Sequence, residues 1–266
     1  MKDLSSMRKE YSKSSLDIQS VHKNPVKQFL QWFDEAVKAE VSEPNAMNLA
    51  TVSEAGKPSS RIVLLIGAEN ERFVFYTNYY GQKGKELEAN PACALNFFWP
   101  ELERQIRIEG VAGKVSSKVS DDYFQSRPRG SQIGAWASPQ STIIADRKIL
   151  EERVKEIETR FQNKDTLPRP NQWGGYAVDP LKIEFWQGRK NRLHDRVVYT
   201  KVDGEWQFGS NVNHLQIHFF HNYKIVDGAF VNLEPSFGHS ILFCNQEELN
   251  NVKRVHDVFG KYIDLL

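Results

Sequence analysis

Three stretches of the chain carry residue types and spacings suited to an anionic, planar ligand. In RKNRLHDR, which ends at Arg196, an extended backbone sets Arg192, His194 and Arg196 on one face, because strand side chains alternate. Two guanidiniums flanking an imidazole can grip an anion and stack on a flat ring. A second cluster, SRPRGSQIGAWASPQS, sets Arg127, Arg129, Ser131, Gln140 and Ser141 among small residues that let backbone amides approach a phosphate. The third comprises Arg61 in RIVLL, Tyr76 and Thr77 in YTN, and Lys83 in GQKGK. This last is not a Walker A loop, since the glycine spacing is too short and no Ser or Thr follows the lysine. Taken singly, the first stretch reads as a solvated strand edge and the second as a polar loop between helices.

The elements that must position these residues are legible in outline. In NPVKQFLQWFDEAVKAEV, Asn24 and Pro25 mark a helix start, and Val26, Phe29, Leu30, Phe33, Val37 and Val41 recur at helical spacing. AMNLATVSEAGKPSSRIVLLIG reads as two strands around a turn at Ala55–Pro58, with ERFVFYTN as a third. A short helix is expected in GQKGKELEAN, then two long strands joined around Pro100. Helices follow in SSKVSDDYFQS and DRKILEERVKEIETRFQ, the latter with Ile149, Val154, Ile157 and Phe161 along one side. GGYAVD, LKIEFWQG, HDRVVYTKV and GEWQF return to strands. Strands linked by short turns suggest an antiparallel sheet that closes on itself and so removes its edges.

Composition narrows the class. The 266 residues are 40% hydrophobic, and 35 basic against 34 acidic side chains leave a formal charge of +1. A protein living by phosphate-backbone attraction usually carries a stronger basic excess, so nucleic acid is not the expected partner. Two cysteines, Cys93 and Cys244, are too few for a disulfide framework or a cysteine-rich metal site. No apolar run approaches the roughly 20 residues of a membrane helix. The charged, serine-rich start lacks the apolar centre of a secretory signal, making the cytoplasm the expected location.

RIVLL, FVFYTN, GKELE, WPELERQIRIEG, YFQSRPRGSQIGAW, QS, WGGY and IEFWQGRKNRLHDR occur in that order. Their joint spelling and spacing, from about Arg8 to about Trp206, resemble the pyridoxamine 5′-phosphate oxidases. The resemblance implies a mainly β fold with flanking helices: a split β-barrel that binds flavin mononucleotide (FMN) in the interface of a homodimer. It implies oxidation of pyridoxamine 5′-phosphate and pyridoxine 5′-phosphate to pyridoxal 5′-phosphate, with O2 reduced to H2O2. On this resemblance FMN is held by Arg61 with Ile62, Val63, Leu64, Leu65 and Ile66, and by Tyr76, Thr77, Gln82, Lys83, Gln105, Gln140, Ser141, Trp186 and Arg196. Tyr123, Arg127, Ser131, Arg192, Leu193 and His194 hold the substrate's phosphate ester and ring, with Arg8, Lys9, Glu10 and Tyr11 as an N-terminal lid. Arg192 and His194 are expected to orient substrate first and to act catalytically second.

The chain departs from the family pattern at three places. Ile66 stands where the family writes a lysine, and Gln82 where it writes an arginine. Both changes remove positive charge from the phosphates and predict weaker FMN retention. The third is the end of the chain, where an expected Arg-Leu-x-Pro is absent and residues 208–266 extend beyond a polar segment 1–23 and an oxidase domain 24–207. That extension contains a helical pattern in EELNNVKRVHDVFGKYIDLL. It also contains His214, His218 and His221, which read as ordinary surface or partly buried histidines, so no metal is expected. A weakly active or non-catalytic paralogue, carrying FMN or pyridoxal phosphate, is the rival reading.

Overall fold

In this computed structural model, which describes Met7, residues 9–210 and the strands Tyr223–Val226 and Ala229–Asn232, regular structure begins where the Asn-Pro pair predicts. The Asn24 side chain accepts hydrogen bonds from the amides of Val26 and Lys27 and caps α1 (Pro25–Lys38). Its buried face is Val26, Phe29, Trp32 and Ala36, while Leu30 and Val37 of the expected stripe are exposed. The helix is turned by part of a step, because the bulky Trp32 claims the interior and leaves the two aliphatic residues on the flank.

β1 (Ala46–Val52) and β2 (Pro58–Leu64) form the expected hairpin. A short strand unforeseen in the sequence, β3 (Gly67–Glu69), pairs with β4 (Arg72–Asn78) through Asn70 and Glu71, both at positive φ. After α2 (Gln82–Ala89) come β5 (Ala92–Trp99) and β6 (Arg104–Lys114), then α3 (Ser117–Ser126). α4 (Arg129–Ala137) and α5 (Arg147–Arg160) precede one long strand, β7 (Trp173–Gln187), where the sequence suggests two. β8 (Asp195–Val202) and β9 (Glu205–Ser210) complete the barrel. All pairings are antiparallel, in the order β2-β1-β5-β6-β7-β4-β3, with β8 on β7 and β9 on β8.

β7 explains the split. One edge pairs with β6 along nearly its whole length, while the other pairs with β4 at Trp173–Val178 and with β8 at Lys182–Gln187. Between those partners lies Pro180, which has no N–H to donate, and the register with β6 slips at Glu109/Gly110. The sheet therefore parts at Asp179–Leu181, and β4 and β8 leave in different directions.

Phe29, Leu49, Phe73, Leu95, Phe97, Ile106, Ile108 and Phe185 fill the barrel. A smaller core joins α3, α4 and α5 through Phe124, Ile133, Ile157, Phe161 and Trp173. Contacts divide the chain into two compact units, Met1–Leu215 and Gln216–Leu266; in the second, β10 (Tyr223–Val226) and β11 (Ala229–Asn232) form a hairpin. The three tail histidines, Cys244 and the helical pattern near the end lie outside the described residues. No helix among the described residues is long and apolar enough to cross a membrane, and none of their His, Cys, Asp and Glu groups could hold a metal.

Gly84 supplies a test of how tightly α2 sits on the barrel. A Cβ there would meet the Tyr79 carbonyl oxygen at 2.1 Å. Exchanging glycine for alanine inside a helix ordinarily adds about 1 kcal/mol of stability. Gly84→Ala is expected to lower it instead, by more than about 1 kcal/mol in urea unfolding; a stabilised variant contradicts the packing described.

Candidate active site

The first group of site residues forms where β4 runs into α2. Lys83, buried in the first turn of α2, donates from Nζ to Thr77 Oγ1 at 2.9 Å and Gln140 Oε1 at 2.8 Å. Its pKa is lowered by burial and secondarily by the charge of Arg61, so an approaching anion would be favoured. Gly81 cannot cap α2 with a side chain; Ser141, at φ +65°, does so from afar, its Oγ accepting the Gln82 amide at 3.1 Å. An ammonium beside a helix N-terminus has the charge and the donors that could hold an anion.

Arg61 stands nearby with its charge already engaged. Its guanidinium reaches Glu86 Oε2 at 3.2 Å and Ser59 Oγ at 2.5 Å, and also bonds Thr51. Burial opposes ionisation of Glu86, but hydrogen bonds from Thr51, Ser59, Gln82 and Arg61 outweigh it and bring its pKa down to about 2. Gln82 thus spends its side-chain donor on Glu86 at 2.9 Å. Glu86 is a site residue the sequence reading passed over, although it stands one turn after Gln82 in GKELE. Along the end of β2 and just beyond it the run after Arg61 alternates: Val63 and Leu65 turn to the core, whereas Ile62, Leu64 and Ile66 are exposed.

A stack of rings adjoins Thr77. Tyr76 lies 4.0 Å from Tyr123 and 5.3 Å from Trp173, centroid to centroid, with interplanar angles of 27° and 17°. The Arg127 guanidinium sits 4.6 Å from the Trp173 ring centroid. Its Nη1 is buried without a hydrogen-bond partner, and burial lowers its pKa. A buried orphan donor of this kind fits an anion. Ser131 is in the first turn of α4, so the expected polar loop is largely helix, because Ile133 and Ala137 can bury against α5 and Trp173.

The second group lies at the other end of β7. Strand register aligns Phe98, Gln105, Trp186 and Arg196 in one row across β5, β6, β7 and β8. Alternate positions of the same strands, such as Phe97, Ile106, Phe185 and Val197, fill the barrel, so this row lies on the sheet's outer face. Arg196 Nη1 meets Glu184 at 3.3 Å, while its Nε is buried and without a partner. The His194 ring is 4.7 Å from Trp186 and 5.8 Å from Tyr11. Its Nδ1 accepts the Arg189 amide at 3.0 Å, so the neutral ring carries its proton on Nε2. Burial, then Arg196 and Arg192, lower its pKa against the opposing pull of Asp195, which favours the neutral ring.

Arg192 does not share a strand face with His194 and Arg196. Residues Lys190–Arg192 form a 3-10 turn with Asn191 and Arg192 at φ +56° and +62°, and β8 begins only at Asp195. The turn leaves Arg192 and Leu193 exposed. Lys9 and Glu10 are exposed, Tyr11 is seated on Trp186 at 5.7 Å, and Arg8 lies outside the described residues.

Fold and site together define a split-barrel protein whose long central strand has a buried guanidinium donor without a partner near each end. The chain matches the family model for pyridoxamine 5′-phosphate oxidase over residues 33–161 and that for the pyridoxine 5′-phosphate oxidase C-terminal dimerisation region over 173–209. It is 57% identical over 205 residues to a pyridoxine/pyridoxamine 5′-phosphate oxidase of Leptospira interrogans, covering 77% of this chain and 95% of that one. A protein of the same name from Rubrobacter xylanophilus is 52% identical over 206 residues, covering 77% and 94%. Among solved structures, PhzG from Burkholderia lata 383, in complex with tetrahydrophenazine-1-carboxylic acid, has a TM-score of 0.70 at 27% identity, covering 75% of this chain and all of that one. A related FMN-binding protein from Nostoc punctiforme, at 17% identity, 0.52 TM-score and coverage of 75% and 98%, supports the fold. The chain belongs to the pyridoxamine 5′-phosphate oxidase family.

The depressed pKa of Glu86 carries a pH signature. The group contributes stability that is complete above the ordinary value of 4.5 and disappears as pH falls through about 2. Its loss over that window corresponds to roughly 3 kcal/mol. Urea unfolding from pH 5 to pH 2 is expected to show Glu86→Gln less stable than the parent at pH 5 and converging on it towards pH 2; parallel curves contradict the assignment.

Proposed function

We propose that this chain oxidises pyridoxamine 5′-phosphate and pyridoxine 5′-phosphate to pyridoxal 5′-phosphate, with FMN as cofactor and O2 as the final acceptor. Relatives more than half identical over nearly their whole length carry that name. The observation within this chain that carries the reading is a buried guanidinium donor without a partner at each end of β7, Arg127 Nη1 and Arg196 Nε. Their surroundings fit FMN and a second phosphate. Lys83, Thr77, Gln140, Ser141 and Arg61 would hold the cofactor's phosphate, and Gln105, Trp186 and Arg196 its ring.

Trp173 and Trp186 are thirteen positions apart on β7, roughly 40 Å of extended chain. One ligand pair cannot readily bridge that length within a single copy. A homodimer resolves the geometry by setting the Lys83–Arg127 end of one copy against the Trp186–His194 end of the other. The match of residues 173–209 to a dimerisation region supports this, as do Ile62, Leu64 and Ile66, an exposed apolar row on alternate positions.

Bound FMN would supply two-electron redox chemistry, oxidising the substrate's C4′ carbon and reducing O2 to H2O2, with water releasing the aldehyde and ammonia when the substrate is the amine. The chain's own residues hold and orient. Tyr123, Arg127 and Ser131 are donors for the substrate phosphate, and Arg192 fixes the pyridine from the turn before β8. His194, whose neutral form carries its proton on Nε2, can donate to the ring substituent at that edge. Positioning of this kind can lower a barrier by roughly 7–11 kcal/mol.

The test is anaerobic mixing of FMN-loaded protein with pyridoxamine phosphate, followed by air. Flavin bleaching and recovery with aldehyde and peroxide formed is expected, and Arg192→Ala should abolish bleaching while flavin stays bound. Ile66→Lys should tighten FMN binding by about one to two decades, the worth of a charge-assisted hydrogen bond. Tight flavin binding with no bleaching in the parent protein would replace this reading with the carrier.

A further inference from the structure

Residues 12–22 have the composition of a mobile arm, yet their backbone is pinned to the barrel through acidic side chains. The connection between β5 and β6 ends in Glu103, which is 2% exposed and sits at φ +54°. Glu103 Oε2 accepts the successive amides of Ser12 at 2.7 Å and Lys13 at 3.0 Å, 91 and 90 positions away. Two adjacent backbone N–H groups closing on one oxygen are an anion nest, here filled by the protein's own carboxylate. The Lys13 ammonium donates to the Glu101 carbonyl, and Asp195 Oδ2, beside His194, accepts the Leu16 amide at 2.9 Å.

The backbone of Glu103 faces the other way. Its carbonyl accepts the Gly188 amide at 2.7 Å and the Gln187 side chain at 3.2 Å, where β7 gives way to the turn that carries Arg192 and His194. A Cβ on Gly188 would meet the Tyr11 ring at 2.7 Å, so Tyr11 lies directly on this backbone. One residue therefore fixes both sides of the contact between Tyr11 and His194.

We infer that Glu103 is a positioning residue: its buried carboxylate seats the N-terminal strap and so sets Tyr11 against His194 and Trp186 over the substrate end of the site. The inference rests on the oxidase reading for its kinetic consequence, but not for the seating itself. Bracing the β5–β6 connection needs only the residue's backbone. The carboxylate serves the strap, so its removal should weaken substrate binding and leave the flavin phosphate group around Lys83 untouched.

The experiment compares full-length FMN-loaded protein with Glu103→Ala, the isosteric Glu103→Gln, Tyr11→Ala and the Glu103→Ala/Tyr11→Ala double variant. Loss of two charge-assisted bonds is expected to raise KM for pyridoxamine phosphate about tenfold or more, with kcat and FMN affinity changed less than about twofold. Glu103→Gln, which keeps an acceptor oxygen, should fall between. The double variant should be no worse than the poorer single one. Trypsin should cut after Lys13 faster in Glu103→Ala than in the parent. Unchanged KM, a loss of FMN affinity as large as the rise in KM, or additive single effects would overturn the inference. If no preparation turns over, the oxidase reading fails and trypsin alone decides: faster cutting in Glu103→Ala and in Gly188→Ala upholds the strap, and equal cutting refutes it.

Discussion

Backbone hydrogen bonding along β7 is the constraint from which the site follows. A strand has two edges, and β7 gives one wholly to β6 while dividing the other between β4 and β8. The division falls at Asp179–Leu181, where Pro180 cannot donate and the register slips. This break sends Tyr76 and Thr77 on β4 to one end of the strand and Arg196 on β8 to the other. Without it, β4 and β8 would compete for the same amides, and the two groups could not both be attached to one strand.

Electrostatics then grades the cations by how far the fold itself already neutralises them. Arg61 is matched by Glu86, itself gripped by Thr51, Ser59 and Gln82, a pair whose desolvation is repaid by several hydrogen bonds. Lys83 meets only neutral oxygens, and Arg127 and Arg196 each keep a buried donor unmatched. Burial makes the charges of Lys83 and Arg127 costly in their present surroundings, and an anion would relieve that cost. Ile66 and Gln82 fit this pattern. One contributes an exposed apolar side chain, and the other turns its amide to Glu86, so the phosphate end relies on fewer cations than the family spelling provides.

How much of this was legible in the sequence differed by element. Asn24-Pro25 announced α1, and the hairpin around Gly56 and the strands flanking Pro100 were placed from turn chemistry and alternation alone. The site motifs were legible as a joint spelling, while their individual patterns were ambiguous. What escaped depends on tertiary packing. α4 was hidden by its glycine and serine content, which burial of Ile133 and Ala137 overrides. The turn at Asn191 and Arg192 breaks the two-residue period, because left-handed residues other than glycine leave little trace in sequence. The seating of residues 12–16 on Glu103 and Asp195 joins segments about 90 and 180 positions apart, beyond any local pattern.

In the proposed dimer each working site needs the Arg127 end of one copy and the Arg192 end of another. Co-expression of Arg127→Ala and Arg192→Ala chains with different affinity tags, followed by purification of the mixed dimer, tests this directly. Each homodimer should be inactive, whereas the mixed dimer contains one intact site and should turn over at about half the parent rate per dimer. A mixed dimer as inactive as its parents would place both ends of the site within a single chain and contradict the account.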